Sequence, residues 1–453
     1  MPWKNGSRPG TPLTIKGEKM DLKNRIYKLK NLKKELQRSR QEILKALEAD
    51  LGKSMEEAYL SEYLMTLEEL DYTIAQVPKW ARPDKKPTPY YQFPSKGEIH
   101  HRPYGRVAIA APWNYPFLLA MVPTIGALGA GNRVVLKTSR KAPATSQVVR
   151  DILGRVYDPE EVMVYGLDPQ DRARFMAEDM DFLFFTGSTR VGREMAKLAG
   201  EKMIPCVLEL GGKSPVIVFG DQDLETTAKR IIWGKTLNAG QTCVAPDYCL
   251  VQKDLRDPLI QAMNQAIQDF YGPNPLESSY LASIIDRDHF HRLEDLAKAQ
   301  GLDMEGKAWL QGLKFAPQVF PADPSSPFME EEIFGPFLPV LTIDDLEDCQ
   351  KIINLHPNPL ALYLFSQEEK DLDYILDTIP FGGGAFNDTL THLSTVTLPF
   401  GGVGQSGMGA YHGKYSFDTF SRKVSILKKS RKIDLDMRYP PYENFDPRKF
   451  FKK

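Results

Sequence analysis

Apolar positions set the rhythm of this chain before any motif does. From about Glu18 to Ala49, Leu22, Ile26, Leu29, Leu32, Leu36, Ile43, Leu44 and Leu47 recur at helical spacing with Lys, Arg and Glu between them, which predicts one long amphipathic helix. A break at Leu51-Gly52-Lys53 precedes a second helical region, Glu56 to Val77, expected to end before Pro78 because proline lacks an N–H and crowds the turn before it. Trp80 to Pro94, rich in Pro, Lys and Tyr, reads as a crossing segment with its basic residues in solvent. Gly97 to Arg102 alternates like an exposed strand, whereas Gly105 to Pro112 is almost continuously apolar, like a buried one.

The alternation continues. A helix is expected at Leu118–Gly129, a buried strand at Asn132–Lys137, a helix at Ala144–Leu153, a short strand at Val162–Gly166, a helix near Pro169–Met176 and a strand at Asp181–Phe185 that turns into a helix through Thr186–Gly192. Strands alternating with helices imply parallel βαβ units and a doubly wound sheet, so the fold class is α/β. Further on, helices are expected at Pro258–Phe270, Asp286–Ala299, Leu346–Leu355 and Glu368–Ile379, with strands at Leu338–Leu341 and Leu360–Phe365. This reads as a second α/β domain, followed by a Gly-rich loop and a tail heavy in Lys, Tyr and Pro.

Composition narrows the function class. The 453 residues are 42% hydrophobic and 26% charged, enough for two or three domains with a sizeable core. With 58 Lys+Arg against 59 Asp+Glu there is no global field to draw the molecule onto nucleic acid or an anionic membrane. Four scattered cysteines, Cys206, Cys243, Cys249 and Cys349, fit neither a disulfide framework nor a zinc site, and point to a reducing compartment. The polar Met1–Lys16 stretch has no apolar run of a secretory signal and reads as a loose arm. No apolar segment reaches the ~18 residues of a membrane span. His100 and His101 are adjacent on a strand and face opposite sides, so they are expected as solvated histidines and not as a metal pair.

Candidate chemistry lies between Glu209 and Cys243. A carboxylate in Glu209-Leu210-Gly211-Gly212-Lys213 and a thiol in Gly240-Gln241-Thr242-Cys243-Val244 are the minimum for covalent catalysis on a carbonyl. Cys206 and Cys249 lie in apolar, strand-like runs and read as core, while Gly240 and the polar Gln241-Thr242 suggest an accessible loop around Cys243. Asn114, between Trp113 and Tyr115 just after a buried strand, can aim an amide at a developing oxyanion or can simply be a turn asparagine. Gly187 and Gly192 sit where a strand becomes a helix, which suits a pyrophosphate; a plain helix start capped by Ser188 or Thr189 explains the same spacing. Lys213 is either a surface lysine or a partner for Glu209, and His412 either lines a funnel or is structural.

Taken together, Pro112–Phe117, Phe185–Thr189 with Gly192, Leu208–Pro215, Gly240–Tyr248, Glu331–Pro336 and Pro399–Gly409 resemble the aldehyde dehydrogenase superfamily, in its order, from about Gly97 to Lys423. Ala410–Phe417 and the short N-terminal region resemble the class 3 branch, which acts on fatty or aromatic aldehydes. The resemblance implies Cys243 as nucleophile, Asn114 and the Cys243 N–H as oxyanion donors, and Glu209 as general base for hydrolysis of a thioester. It implies Lys137 at the adenosine ribose, Glu332 and Phe334 at the nicotinamide ribose and ring, Gly187, Ser188 and Gly192 near the pyrophosphate, and Trp113 and Leu210 beside the cofactor. Family members that prefer NAD carry a Glu where this chain has Arg140; a guanidinium attracts a 2′-phosphate, so NADP is expected to be accepted alongside NAD.

The expected architecture is an N-terminal arm (1–17), a Rossmann-like NAD(P)-binding domain (18–80 and 103–208), a catalytic domain (209–385) and a bridging, oligomerising element (81–102 and 386–453). A cytoplasmic homodimer that oxidises medium- or long-chain aliphatic, or aromatic, aldehydes to carboxylic acids is expected, with no metal, no nucleic acid and no membrane anchor, and the strand near Gly97 offers an edge to a partner subunit. Two rivals stand beside this: an acylating enzyme that passes the acyl group to coenzyme A, which has no need of Glu209, and a binding protein on the same fold.

Overall fold

A computed structural model describes residues 21–220, 223–434 and 438–442. Two six-stranded sheets dominate it. The first runs Gly407–Met408, Cys206–Glu209, Phe182–Thr186, Arg106–Ala110, Arg133–Lys137 and Val162–Tyr165, parallel except for the Gly407–Met408 edge. Its central strands are apolar on both faces: Val107, Ala108, Ile109, Leu183 and Phe184 are fully buried, because helices cover both sides. The second runs Gln318–Pro321, Phe337–Ile343, Tyr248–Gln252, Pro215–Val218, Ala361–Phe365 and Gly383–Phe386, all parallel. The α/β class expected from the alternation is the class observed.

In the first sheet the chain winds outward from Arg106–Ala110 in one direction, then returns to add Phe182–Thr186 on its other side. That reversal opens a crevice at the carboxyl ends of these two strands, where open α/β sheets take ligands. Trp113 and Asn114 follow one of the two strands, Gly187 and Ser188 the other.

Several expected elements differ. The long first helix is two, Leu22–Arg38 and Arg40–Leu51, its expected start at Glu18 lying outside the described residues. The break is at buried Ser39, whose Oγ lies 3.2 Å from Glu35 Oε1 and accepts from Arg155 Nη1 at 3.3 Å. A side chain drawn into such bonds competes with the helical ladder. The second helical region does not stop at Pro78: Met65–Trp80 runs past it. An interior proline costs about 3 kcal/mol. Here it falls in the last turn, Ala81 N–H still reaches Val77 O at 2.9 Å, and burial of Val77 and Trp80, each worth about 2 kcal/mol, offsets the loss.

The tail is not merely a polar extension. Ser421–Lys429 pairs antiparallel with Ser95–Pro103 over nine residue pairs, with Asp84–Lys86 on the other side, so the strand near Gly97 is the central one of three and not the edge expected for a partner subunit. His101 on that strand is not solvated as expected: it packs against Phe417 at 5.5 Å between ring centroids and faces Asp84 at 3.5 Å, whereas His100 pairs with Glu98 at 3.0 Å. Cys249 is fully buried as expected, but Cys206 is half-buried, its sulfur 3.9 Å from that of Met408.

Candidate functional site

Cys243 follows a turn that few sequences could make. After the helix Leu224–Thr236, Asn238, Ala239 and Gly240 all take left-handed conformations, with φ of 53°, 52° and 75°. For a residue with a Cβ this costs roughly 1–2 kcal/mol, so the surroundings must enforce it. They do. Asn238 N–H donates to Glu57 Oε1 at 2.8 Å, Asn238 Nδ2 to Asn114 O at 2.7 Å and Gln241 O at 3.2 Å, and Gln241 Nε2 to Asn238 O at 3.0 Å and Ser283 O at 2.9 Å. A Cβ on Gly240 would collide with the Gly335 carbonyl, so only glycine fits. Tyr115 OH and Thr242 Oγ1 are 2.6 Å apart, which ties the segment after the first strand to the residue beside Cys243.

Along one cavity of about 950 Å³ the structure brings together Cys243, Glu209, Asn114, Trp113, Gly187, Ser188, Leu210, Glu332 and Phe334. Lys137, Arg140 and Gly192 do not line it. Lys137 ends the strand Arg133–Lys137, half-buried, donating to Thr138 O at 3.3 Å, its pKa lowered by burial and by Arg140. Arg140 is exposed. Gly192 lies in the first turn of Thr189–Lys202, where a Cβ would collide with Leu210, so its place in the sequence serves close packing. Ser188 occupies the N-cap of that helix, and neither it nor another side chain makes a capping hydrogen bond.

The electrostatics of the cavity follow from burial. Burial, then Glu332 and Glu209, pushes the Cys243 thiol up to about 12. Burial alone raises Glu209 well above the carboxylate range, and both its oxygens are buried with no hydrogen-bond partner among the described residues. Glu332 is raised to about 8, by burial first and by Asp247 second. Asn114 Nδ2 donates to Gln241 O at 3.0 Å. Lys213 is neither a surface lysine nor a partner of Glu209: its buried ammonium bonds Asp247 at 2.5 Å and the carbonyls of Phe328 and Glu331 at 2.8 and 2.9 Å. Asp247 in turn accepts the Ile333 N–H at 2.9 Å, so this pair fixes the loop that carries Glu332 and Phe334. His412 lines the cavity, stacked on Phe400, and burial with His392 nearby lowers it to about 4, leaving it neutral.

The other wall is apolar, with Leu60, Leu64, Leu118, Trp233, Phe270 and Leu393 among its residues. Sequence reasoning missed Glu57, His289 and Arg292, which also line the cavity. His289 packs edge-on against Trp113 at 5.0 Å and bonds Asp286 at 2.8 Å, and Asp286 also takes Lys141 at 2.5 Å. Arg292 bonds the Ile333 carbonyl. The only signal for the last two was an i, i+3 pair on a helix, which thousands of surface helices share. Among the described residues no group of three or more His, Cys, Asp or Glu is placed to hold a metal.

A crevice at a switch point, opposite a half-buried thiol and a buried carboxyl, defines an oxidoreductase-like site for a nucleotide and a carbonyl. The aldehyde dehydrogenase family matches residues 16–426, and the chain belongs to that family. It is 40% identical over 426 residues to 4,4'-diaponeurosporen-aldehyde dehydrogenase of Staphylococcus aureus, covering 93% of each chain. It is 42% identical to aldehyde dehydrogenase family 3 member H1 of Arabidopsis thaliana, covering 92% of this chain and 88% of that one. Among solved structures it matches the substrate-bound state of Staphylococcus aureus AldH with a TM-score of 0.90 at 39% identity, covering 94% and 93% of the two chains. The Mycobacterium tuberculosis aldehyde dehydrogenase complexed with NAD+ matches with a TM-score of 0.79 at 26% identity, covering 89% and 85%.

Proposed function

We propose that this enzyme oxidises medium- or long-chain aliphatic, or aromatic, aldehydes to carboxylic acids, with NAD and also NADP as acceptor. The observation that carries the reading is one cavity in which a half-buried thiol, a partnerless buried carboxyl and an amide donor share space with apolar side chains. Cys243 attacks the aldehyde carbon; the oxygen, now anionic, is held by the Asn114 amide and the Cys243 N–H. A bound nicotinamide supplies the hydride acceptor. The residues present fit that group: Trp113 and Phe334, 5.4 Å apart edge to face, form an aromatic wall, and a Cβ on Gly211 would collide with Glu332, so the backbone there leaves room for that carboxylate. Trp113, Gly187, Ser188, Leu210, Glu332 and Phe334 would hold the cofactor, with Lys137 and Gly192 further along.

The thioester left on Cys243 is hydrolysed by water from which Glu209 takes a proton. A carboxyl with no protein partner is free to take that water, and its raised pKa makes it a stronger base once ionised. Arg140, exposed and electrostatically coupled to Lys137, supports acceptance of a 2′-phosphate. The apolar side chains that line the cavity, and the 4,4'-diaponeurosporen-aldehyde named for the Staphylococcus aureus relative, support extended apolar substrates.

We assign 18–80 and 103–208 to cofactor binding, 209–385 to catalysis, and 81–102 with 386–453 to bridging. A homodimer is supported by two sheets whose outermost strands Ser421–Lys429 and Gly383–Phe386 have no further strand paired to them among the described residues. Four free cysteines support a reducing, cytoplasmic setting. No described helix is long and apolar enough to cross a membrane. The test is NAD(P)H absorbance with hexanal, decanal or benzaldehyde and each cofactor. Turnover is expected to favour decanal over acetaldehyde; no absorbance rise with any pairing sinks the proposal, and a rise that needs coenzyme A replaces it with the acylating reaction.

A further inference from the structure

We infer that Glu57 is a positioning residue for the reaction: its carboxylate, presented by the helical stretch 55–80, holds the Asn238 N–H and thereby sets where the Asn114 amide stands relative to Cys243. The inference rests on the roles proposed above for Asn114 and Cys243. Its geometry does not.

Ser54-Met55-Glu56-Glu57 has the spacing of a capping box, in which the glutamate carboxylate folds back onto the N-cap backbone. Only half of that motif forms. Ser54 Oγ accepts the Glu57 N–H at 3.1 Å and so fixes the backbone of Glu57 in the first helical turn. The carboxylate is sent elsewhere, to an N–H 181 residues away at 2.8 Å. It lines the catalytic cavity, half-buried. A carboxylate drawn partly out of water is costly unless it satisfies a donor that would otherwise go without an acceptor. What it satisfies is the N–H of Asn238, the first of the three left-handed residues leading into the Cys243 loop.

From Asn238 the connection is short. Its side-chain amide donates to the Asn114 carbonyl at 2.7 Å and to the Gln241 carbonyl at 3.2 Å, and the Asn114 amide donates to that same Gln241 carbonyl at 3.0 Å. Asn114 is thus gripped at its backbone and side chain by two residues of one turn, and that turn is gripped by Glu57. Gln241 stands two positions before Cys243. Lys53, fully buried, bonds Glu62 at 2.6 Å and reaches the Asn114 carbonyl at 3.4 Å; burial raises the Glu57 carboxyl above the usual carboxylate range, and the Lys53 charge opposes that rise. The helix itself turns π-helical over Tyr59–Leu64, immediately after Glu57, a departure that recurs at functional sites.

The test uses Glu57→Ala and Glu57→Gln in the full-length enzyme. Acylation of Cys243 by p-nitrophenyl acetate needs the oxyanion donors but no cofactor, and its burst counts competent sites, so a partly misfolded preparation lowers the amplitude and leaves the rate constant. Alkylation by iodoacetamide needs the thiol but no oxyanion. Loss of the acceptor in Glu57→Ala is expected to lower the acylation rate constant per site by about ten- to a hundredfold, the scale set by an orphaned buried N–H and by misplacement of a reacting group. KM for the aldehyde and the alkylation rate should stay within about threefold, and Glu57→Gln, which keeps an acceptor oxygen, should stay within about threefold of the parent throughout. An unchanged acylation rate in Glu57→Ala, an equal loss in Glu57→Gln, or an alkylation rate falling in step with acylation would each overturn the role of Glu57. Ester turnover that survives Cys243→Ser at the parent rate overturns instead the function on which the inference rests.

Discussion

Cys243 and Glu209 share a cavity that favours the uncharged form of each, with the thiol at about 12 and the carboxyl raised by burial. Both proposed roles require the deprotonated form. A group whose pKa is raised gains that form only at higher pH, so kcat/KM for a saturating cofactor is expected to rise with pH and to be still rising at about pH 8. A profile flat from pH 6 upward would contradict the assignment. Glu209→Gln separates the two residues: it should leave formation of the thioester largely intact and slow its hydrolysis by about 10²–10⁴, read as a preserved NADH burst with a collapsed steady state. Both residues were legible in the sequence because glycines mark the loop that follows the strand Glu209 ends and the turn that leads into Cys243. Lys213 was not. Its partners, Asp247 and the carbonyls of Phe328 and Glu331, are 34 to 118 residues away, and nothing local distinguishes a lysine buried among them from one in solvent. Glu57 hid for a related reason, since its local signal was that of a helix cap.

Among elements, the Gly52 turn and three helices meet around the buried pair Lys53–Glu62. Glu62 Oε1 takes the ammonium at 2.6 Å, and Oε2 accepts the N–H groups of Phe117 at 2.9 Å and Leu118 at 3.1 Å, at the start of Leu118–Ala130. One carboxylate therefore ends an ion pair and caps a helix whose positive pole it faces. Removing only the cation leaves that charge uncompensated in a dry site. Lys53→Met is expected to destabilise the fold by about 3–5 kcal/mol, read from a urea transition, and Lys53→Met combined with Glu62→Gln to recover part of the loss. Two independent, additive losses would contradict the coupling. The apolar rhythm revealed most helices and buried strands, because their pattern is local. It missed Ser421–Lys429, whose pairing strand lies more than three hundred residues earlier and whose side chains are mostly polar and exposed. It also missed the break at Ser39, which needs Arg155 from another helix.

At the scale of the whole molecule, alternation along the chain was enough to give the doubly wound sheet, since strand order there follows from short right-handed connections. Which cofactor the crevice favours is a property of its outer end. Arg140 stands exposed near Lys137, with no ion-pair partner among the described residues. Arg140→Glu is expected to raise the NAD:NADP ratio of kcat/KM by about tenfold or more, the size of one charge-assisted contact with a phosphate exchanged for repulsion. Equal ratios in parent and variant would remove Arg140 from the cofactor site. The dimer proposed above predicts a sedimenting species of twice the 51.3 kDa chain.

The first sheet's own edge carries a consequence for how the protein is made. Glu209 ends the strand Cys206–Glu209, and that strand is covered on its outer side by Gly407–Met408, with Glu209 opposite Gly407 and the Leu210 N–H bonded to Ser406 O at 3.0 Å. During synthesis this edge stays bare until the ribosome has added some two hundred more residues. A nascent chain therefore carries Cys243 and Glu209 long before the strand that pairs beside Glu209 exists. Premature termination upstream of Ser406 would release a molecule with an open strand at Glu209, a shape suited to aggregation and to recognition by chaperones. The last tenth of the chain thus acts as a completeness check on everything synthesised before it.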